Sequence, residues 1–120
     1  MADRVLFIGW GEAVRGAEER ALESFNDAMG MLGRKQQEGA IESFDVVMLE
    51  PNTDLGGYVT VRGTEAQIAA LRADPEYLRN TIDAQLSVDG IRHIEGYTNE
   101  GVARQMGIFR DAIAKVPQAT

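Results

Sequence analysis

The sequence predicts an α+β fold in which one antiparallel sheet packs against helices. Two apolar runs between residues 44 and 62 flank a cluster of Pro, Asn, Asp and Gly at 51–57, a pattern typical of a β-hairpin. Long stretches with helical spacing lie on both sides of this hairpin, and a further strand pattern lies beyond each of them. The length of 120 residues is most simply that of one domain, which is expected to span residues 1–120.

The first strand and the first helix come before the hairpin. Residues 5–10 (VLFIGW) are a continuous apolar run that ends at glycines, as a buried strand does. Residues 15–37 are predicted to be helical, with Ala21, Phe25, Ala28 and Leu32 at helical spacing on one face. Gly39 is the expected C-terminal stop of this helix.

The hairpin and a second helical region follow. Its two strands are predicted over residues 41–50 and 57–62. Thr64 and Gln67 have the spacing of a capping box, which predicts a helix start. Asp74 followed by Pro75 predicts a second start, with the aspartate as the cap and proline at the first helical position.

The last part of the chain completes the pattern. Leu78, Ile82 and Leu86 are predicted to share one face of the helix that begins at Pro75. Residues 91–97 (IRHIEGY) alternate between polar and apolar and predict the fourth strand. A final helix is expected after Asn99 and ends at Pro117, with an apolar stripe of Val102, Met106, Phe109, Ile113 and Val116.

The predicted order is therefore β-α-β-β-α-β with an extra C-terminal helix. This is the ferredoxin-like arrangement, with a four-stranded antiparallel sheet. Right-handed crossovers place the first two helical regions on the same face of the sheet. The other face then has no helical cover.

The first strand is apolar on both of its sides, which is the pattern of a strand that is buried on both faces. Leu6, Ile8 and Trp10 lie on one side, with Val5 and Phe7 on the other. We expect Leu6, Ile8 and Trp10 to lie on the face without helices. An exposed apolar face of this kind usually marks an interface, so the sequence predicts a homodimer in which two sheets cover each other.

Composition excludes several classes of function. The sequence has no cysteine and one histidine, which excludes disulfides and multi-histidine metal sites within one chain. The formal net charge of −7 disfavours nucleic acid and anionic membranes as partners. No apolar stretch is long enough to span a bilayer, and the N-terminus lacks a signal core. A soluble cytoplasmic protein without metal or cofactor is expected.

The element order, the hairpin and the stretch TEAQIAALRADPEY at residues 64–77 resemble the dimeric α/β-barrel superfamily. Its members are small ferredoxin-like domains whose two sheets pair into a barrel. The resemblance implies a homodimer, and it leaves the reaction open, because the superfamily contains cofactor-free monooxygenases, haem-degrading enzymes, isomerases and domains with no known reaction. No active-site motif matches, so no catalytic residue is carried over.

Alternation along the third and fourth strands predicts a candidate site. If Val59, Val61 and Ile94 face the helices, the polar and aromatic side chains between them face the other way. Aromatic walls with a few convergent polar groups are typical of a small-molecule pocket. The predicted cavity on the non-helical face is lined by Trp10, Tyr58, Thr60, Arg62, His93, Glu95 and Tyr97.

Each of these residues has a functional and a structural interpretation. His93, with Glu95 beside it, is the candidate general base because the pKa of histidine lies near neutral pH. Arg62 is the candidate clamp for a ligand carboxylate, and Tyr58 and Tyr97 the candidate aromatic contacts. The alternatives are an interfacial His93, a surface ion pair of Arg62 and plain packing for the aromatic residues. The protein is then an enzyme or binder of a small organic molecule, or a ligand-sensing or structural dimerisation module without catalysis.

Overall fold

The computed structural model describes residues 2–117, and its elements follow the predicted order. All neighbouring strands are antiparallel, in the order β2-β3-β1-β4. The ferredoxin-like α+β fold with an extra C-terminal helix is therefore confirmed. The elements are β1 (Arg4–Trp10), α1 (Glu18–Gln37), β2 (Ser43–Met48), β3 (Gly57–Gly63), α2 (Glu65–Ala73), α3 (Pro75–Ser87), β4 (Arg92–Tyr97) and α4 (Glu100–Ala114).

Both predicted caps of the second helical region are present. The Thr64 hydroxyl accepts from the Gln67 amide at 3.2 Å, and the Gln67 side chain accepts from the Thr64 amide at 2.8 Å. Asp74 accepts from the amide of Glu76 at 2.8 Å and from Lys35 Nζ at 2.8 Å. The hydrogen bond from Lys35 holds the pKa of Asp74 below its ordinary value. Asp74 therefore starts α3 and also joins it to the end of α1.

Helix α1 begins three residues later than the sequence predicts, at Glu18 instead of Arg15. The segment before it is held against the end of α3 by backbone hydrogen bonds, Gly11 N to Asp89 O at 2.7 Å and Val14 N to Ser87 O at 2.8 Å. These long-range bonds keep the backbone extended where local propensity favours a helix. The helix starts only after this segment ends.

The core lies between the sheet and helices α1 to α3. Leu6 of β1 is fully buried between neighbouring strands and helices, and its buried partners come from every layer. The buried hydrophobic cluster consists of Leu6, Met31, Leu32, Ile41, Val59, Val61, Ile68, Leu71 and Tyr77. No helix within residues 2–117 has the length and apolar character needed to cross a bilayer.

The predicted assignment of side chains to the two sheet faces is confirmed for β3 and wrong for β1 and β4. Directly opposed residues of an antiparallel pair point to the same side, and Ile8 lies opposite both Val59 and His93. The helix-covered face therefore carries Leu6, Ile8 and Trp10 together with His93, Glu95 and Tyr97. The prediction failed because Ile94, the most apolar residue of β4, was expected to face the helices. In the structure β4 is an edge strand, and Ile94 is exposed on its face without helices.

The opposite face, which we call the open face, is the one without helices. Val5, Phe7 and Tyr58 lie on it with the exposed Ile94, and the rings of Phe7 and Tyr58 stack with centroids 5.2 Å apart. Thr60 and Arg62 also lie here, as predicted. The open face thus carries an apolar patch beside polar residues, and different residues form this patch than the sequence predicts.

Helix α3 turns a different side to the core than its leucine pattern indicates. Leu78, Ile82 and Leu86 share one face, as predicted, but all three are exposed. The buried side carries Tyr77 and Ser87. The side of α3 that faces the core therefore carries an aromatic and a small side chain in place of leucines, which leaves space between α3, α1 and the sheet.

Candidate functional site

A cavity of about 380 Å³ lies between the helix-covered face of the sheet and helices α1 and α3. This volume falls within the usual range of small-molecule sites. Exposed Leu22 and Met48 contribute to its wall, so we place its mouth between α1 and the end of β2. Aromatic and aliphatic side chains form most of the interior, including Ile8, Trp10, Phe25, Met29, Met31, Leu32, Val59, Ile91 and Val88.

Trp10 forms an aromatic wall of this cavity at the end of β1. Its ring lies against Gly57 of β3, where an added Cβ would stand 2.8 Å from the indole. Phe25 of α1 meets the same indole edge-on, with ring centroids 5.8 Å apart and an interplanar angle of 69°. A side chain at position 57 would displace the indole, so this glycine is required by the wall itself.

The polar wall is a histidine and a tyrosine from different elements. The hydroxyl of Tyr77 on α3 is hydrogen-bonded to Nδ1 of His93 on β4, and the two rings meet edge-on with centroids 5.5 Å apart. Nε2 of His93 is buried and has no hydrogen-bond partner within residues 2–117. A buried polar group without a partner costs roughly 1–3 kcal/mol of folding free energy. Nε2 is therefore the candidate atom of this wall for a polar contact with a ligand.

The surroundings keep both of these groups neutral at pH 7. Burial lowers the pKa of His93 below its ordinary value, and the positive charge of Arg72 lowers this pKa further. Burial also raises the pKa of Tyr77. Arg72 in turn pairs with Glu95 at 2.7 Å. The neutral pair therefore lies between an apolar cavity and a charged pair nearer the surface.

The structure brings together only two of the residues proposed from the sequence, Trp10 and His93. Glu95 lies on the same face, but it is engaged by Arg72 and by Arg4 at 3.9 Å and does not line the cavity. The other four are elsewhere. The Tyr97 ring lies under the guanidinium of Arg4 at 4.5 Å, and Tyr58, Thr60 and Arg62 are on the open face.

Two residues that line the cavity, Tyr77 and Phe25, were not predicted from the sequence as site residues. A signal for Tyr77 exists, because Tyr77, Thr81 and Ala84 form a helical stripe of their own. This stripe competes with the stronger pattern of Leu78, Ile82 and Leu86, which is the exposed one.

The described part of the chain contains no group of three His, Cys, Asp or Glu side chains that are close enough to hold a metal ion.

The lowered pKa of His93 makes a testable prediction about stability and pH. Because the folded state holds the imidazole neutral, protonation favours the unfolded chain, so stability should fall as the pH drops below the ordinary value of 6.5. We expect the wild type to lose stability more steeply than His93→Gln between about pH 7 and 5. Chemical denaturation at several pH values measures this difference.

The histidine is the only one in the sequence, so its NMR signal can be assigned without ambiguity. We expect the imidazole to titrate with a midpoint below 6.5. A midpoint at or above that value would contradict the burial described here. Asp74, whose pKa is lowered from 3.8, loses its contribution at more acidic pH and does not interfere.

Neither the protein-family models nor the curated proteins give a match to this sequence. Solved structures do match its fold. A dimeric protein of unknown function with a ferredoxin-like fold from Bacteroides fragilis is 10% identical, with 79% of this chain and 96% of that one covered and a TM-score of 0.58. PA3566 from Pseudomonas aeruginosa is 12% identical, with coverages of 82% and 96% and a TM-score of 0.61.

A third solved structure adds a described activity. SnoaB from Streptomyces nogalater, a cofactor-independent oxygenase, is 16% identical, with 82% of this chain and 93% of that one covered and a TM-score of 0.50. Similarity at these identities concerns the fold, because one fold supports many functions. The chain therefore shares its fold with these proteins, and the one from Bacteroides fragilis is described as ferredoxin-like.

Proposed function

We propose that this protein binds a small, uncharged and largely apolar organic molecule in the cavity between α1, α3 and the sheet. The observation that supports this most is the composition of the wall, where Tyr77 and His93 are the only ionisable groups among the described lining residues. Well-formed apolar pockets with a few polar groups are the usual small-molecule sites. This site replaces the cavity predicted on the non-helical face.

The charge distribution favours a neutral ligand. No Lys, Arg, Asp or Glu is among the described residues that line the cavity, and an unpaired charge is costly in apolar surroundings. Arg62, the expected clamp for a carboxylate, lies on the open face, with its Nη1 3.3 Å from the Thr98 hydroxyl. We therefore propose a ligand with one polar group, such as a carbonyl or hydroxyl, that faces His93.

We further propose that the pair supports proton transfer without a cofactor. His93 removes a proton from a carbon next to the carbonyl of the ligand, and the electron pair of the broken C–H bond remains on the ligand as an enolate. If the ligand has a C=C bond conjugated with the enolate, return of the proton to the γ carbon gives an isomer. Alternatively the enolate reduces O₂ and forms a C–O bond, and the proton held by His93 completes a hydroperoxide. SnoaB, described as a cofactor-independent oxygenase, supports this by analogy of fold only.

The role of His93 depends on which ring nitrogen carries its proton. If Nδ1 carries it and donates to the Tyr77 oxygen, Nε2 has a free lone pair and is the base. If Tyr77 donates to Nδ1, Nε2 carries the proton and donates a hydrogen bond to the ligand carbonyl. The nitrogen-15 shifts of the single histidine distinguish these two tautomers.

One observation favours the alternative, a ligand-sensing protein without catalysis. Nε2 of His93 is covered as well as unpartnered, so the imidazole must shift before any ligand atom reaches it. A binder needs only the apolar volume, whereas an enzyme needs this movement. His93→Gln separates the two, because it should abolish turnover of any substrate found and leave most of the apolar binding intact.

We also propose that the chain acts as one domain and as a homodimer. The open face carries an apolar patch of Phe7, Tyr58 and Ile94 and lacks helical cover, and the structure from Bacteroides fragilis with the same fold is described as dimeric. Location in the cytoplasm stays a prediction of the sequence.

The binding proposal is tested with two probes of similar size, neutral α-tetralone and the anionic tetralin carboxylate. We expect α-tetralone to raise the melting temperature, because a ligand at a hundred times its Kd stabilises by about 2.7 kcal/mol. We also expect it to change the emission of Trp10, the only tryptophan in the sequence, which lies in the cavity wall. The carboxylate should do neither at the same concentration.

Two results would count against the proposal. If neither probe alters Trp10 emission or the melting temperature up to the solubility limit, the cavity is not a site for molecules of this class. If the carboxylate binds as tightly as the ketone, the inference of an uncharged ligand is wrong, even if a ligand does bind.

A further inference from the structure

Helix α4 extends from the sheet with an apolar side that no other part of residues 2–117 covers. Val102, Met106 and Phe109, which we call the α4 stripe, follow helical spacing and are 46%, 47% and 58% exposed. A helix of 15 residues is only marginally stable in water without packing. The α4 stripe therefore requires a cover that lies outside the described chain.

The start of α4 is anchored to the residues that precede β1. Arg104 pairs with Asp3, and Asn99 donates to the carbonyl of Ala2 at 2.7 Å. At Gly101 the helix comes so close to the backbone of Asp3 that an added Cβ would overlap the Asp3 carbonyl oxygen. These contacts fix the direction of the helix, so the exposure of the α4 stripe follows from how α4 is attached.

The overall dimensions are those of a chain more extended than a compact monomer. The chain exposes 7936 Å², whereas a folded monomer of 13.1 kDa is expected to expose about 6,400 Å². Its radius of gyration of 17.1 Å exceeds the roughly 14 Å of a compact domain of this length. The excess of about 1,500 Å² lies within the area that one subunit of an obligate homodimer buries.

A second copy of this chain fits that requirement. The open face carries an apolar patch beside its polar residues, the α4 stripe is apolar throughout, and a two-fold interface uses the same surface on each subunit. The combined charge of two copies gives no attraction, since each has a net charge of −7, so the contact must come from apolar burial. The exposed apolar residues of α4 and the open face supply such a surface.

We propose that α4 acts as an exchanged arm, in which the α4 stripe of each copy packs against the partner next to the paired open faces. The inference rests on the homodimer proposed above and adds the part that α4 plays in it. In this arrangement α4 is a determinant of assembly, whereas each subunit keeps its own cavity between α1, α3 and the sheet, which we call the α1–α3 cavity.

The test compares two neighbouring residues of α4 in the full chain. Phe109 is in the α4 stripe, whereas Ile108 is 61% exposed and lies about 100° further round the helix. We expect the wild type and Ile108→Glu to be dimers by analytical ultracentrifugation at micromolar concentration, and Phe109→Glu to be a monomer. Circular dichroism checks that Phe109→Glu keeps its helix and sheet content.

The outcomes separate this inference from the homodimer proposal. A monomeric wild type would overturn both. A dimeric Phe109→Glu protein would overturn the exchanged arm alone, and Ile94→Glu on the open face then tests whether the sheets hold the dimer without it. Equal loss of the dimer in Ile108→Glu and Phe109→Glu would also overturn the arm, because it would show no dependence on the α4 stripe.

Discussion

Replacing Leu6 with alanine is expected to lower the free energy of unfolding by about 2–5 kcal/mol. The side chain is completely buried, opposite Val61 on β3 and within the cluster that joins the sheet to the helices. The change removes apolar contacts and leaves a space that the close-packed surroundings cannot fully close. Since domains are stable by only about 5–15 kcal/mol, this is a large fraction of the total.

Denaturant unfolding followed by Trp10 emission measures this loss, at one protein concentration for all variants, because association also contributes to stability. Leu22→Ala is the matched control, with the same atoms removed from a residue of α1 that is 61% exposed. Its effect should stay within about 0.5 kcal/mol. Equal losses for the two variants would contradict the assignment of Leu6 to the core.

Replacing Ala28 with phenylalanine is expected to block the α1–α3 cavity and to weaken α-tetralone binding at least tenfold, which is about 1.4 kcal/mol. Ala28 lies on α1 and lines the cavity, so the added ring takes the space that the ligand needs. Because this apolar space is not filled by other side chains, the ring should be accommodated with little loss of stability, unlike an insertion into a close-packed core.

Ala69→Phe is the control for this substitution. Ala69 lies on α2, is exposed and does not line the cavity, so α-tetralone should bind this variant as it binds the wild type. Titration of Trp10 emission gives both dissociation constants. Unchanged binding in a folded Ala28→Phe protein would show that the ligand binds somewhere other than the α1–α3 cavity.

Local features of the sequence were sufficient for the order of the elements. The capping box at Thr64 and the cap at Asp74 form as predicted, because a cap depends on residues within one helical turn. The hairpin also forms from its apolar runs and turn residues. Where long-range bonds oppose local preference, as at Gly11 and Val14 before α1, the predicted boundary was displaced.

The sequence alone was not sufficient for the candidate site. Trp10 and His93 were chosen by residue type and do meet in one cavity, but on the face opposite to the predicted one. Tyr58, Thr60 and Arg62 were grouped with them by alternation, which gives two sets of residues per strand without saying which set faces the helices. Tyr77, the hydrogen-bond partner of His93, comes from α3, and no pattern in the sequence links this residue to β4.

The sequence by itself determined the ferredoxin-like order of elements, the absence of cysteine chemistry and the presence of more apolar surface than one layer of helices can cover. The tertiary structure decided the side on which His93 lies, the volume left between α1 and α3, and the projection of α4. The physical reason is the range of the interactions. Caps and periodicity act within one turn or strand, whereas sheet register and helix separation depend on contacts between residues that are far apart in the chain.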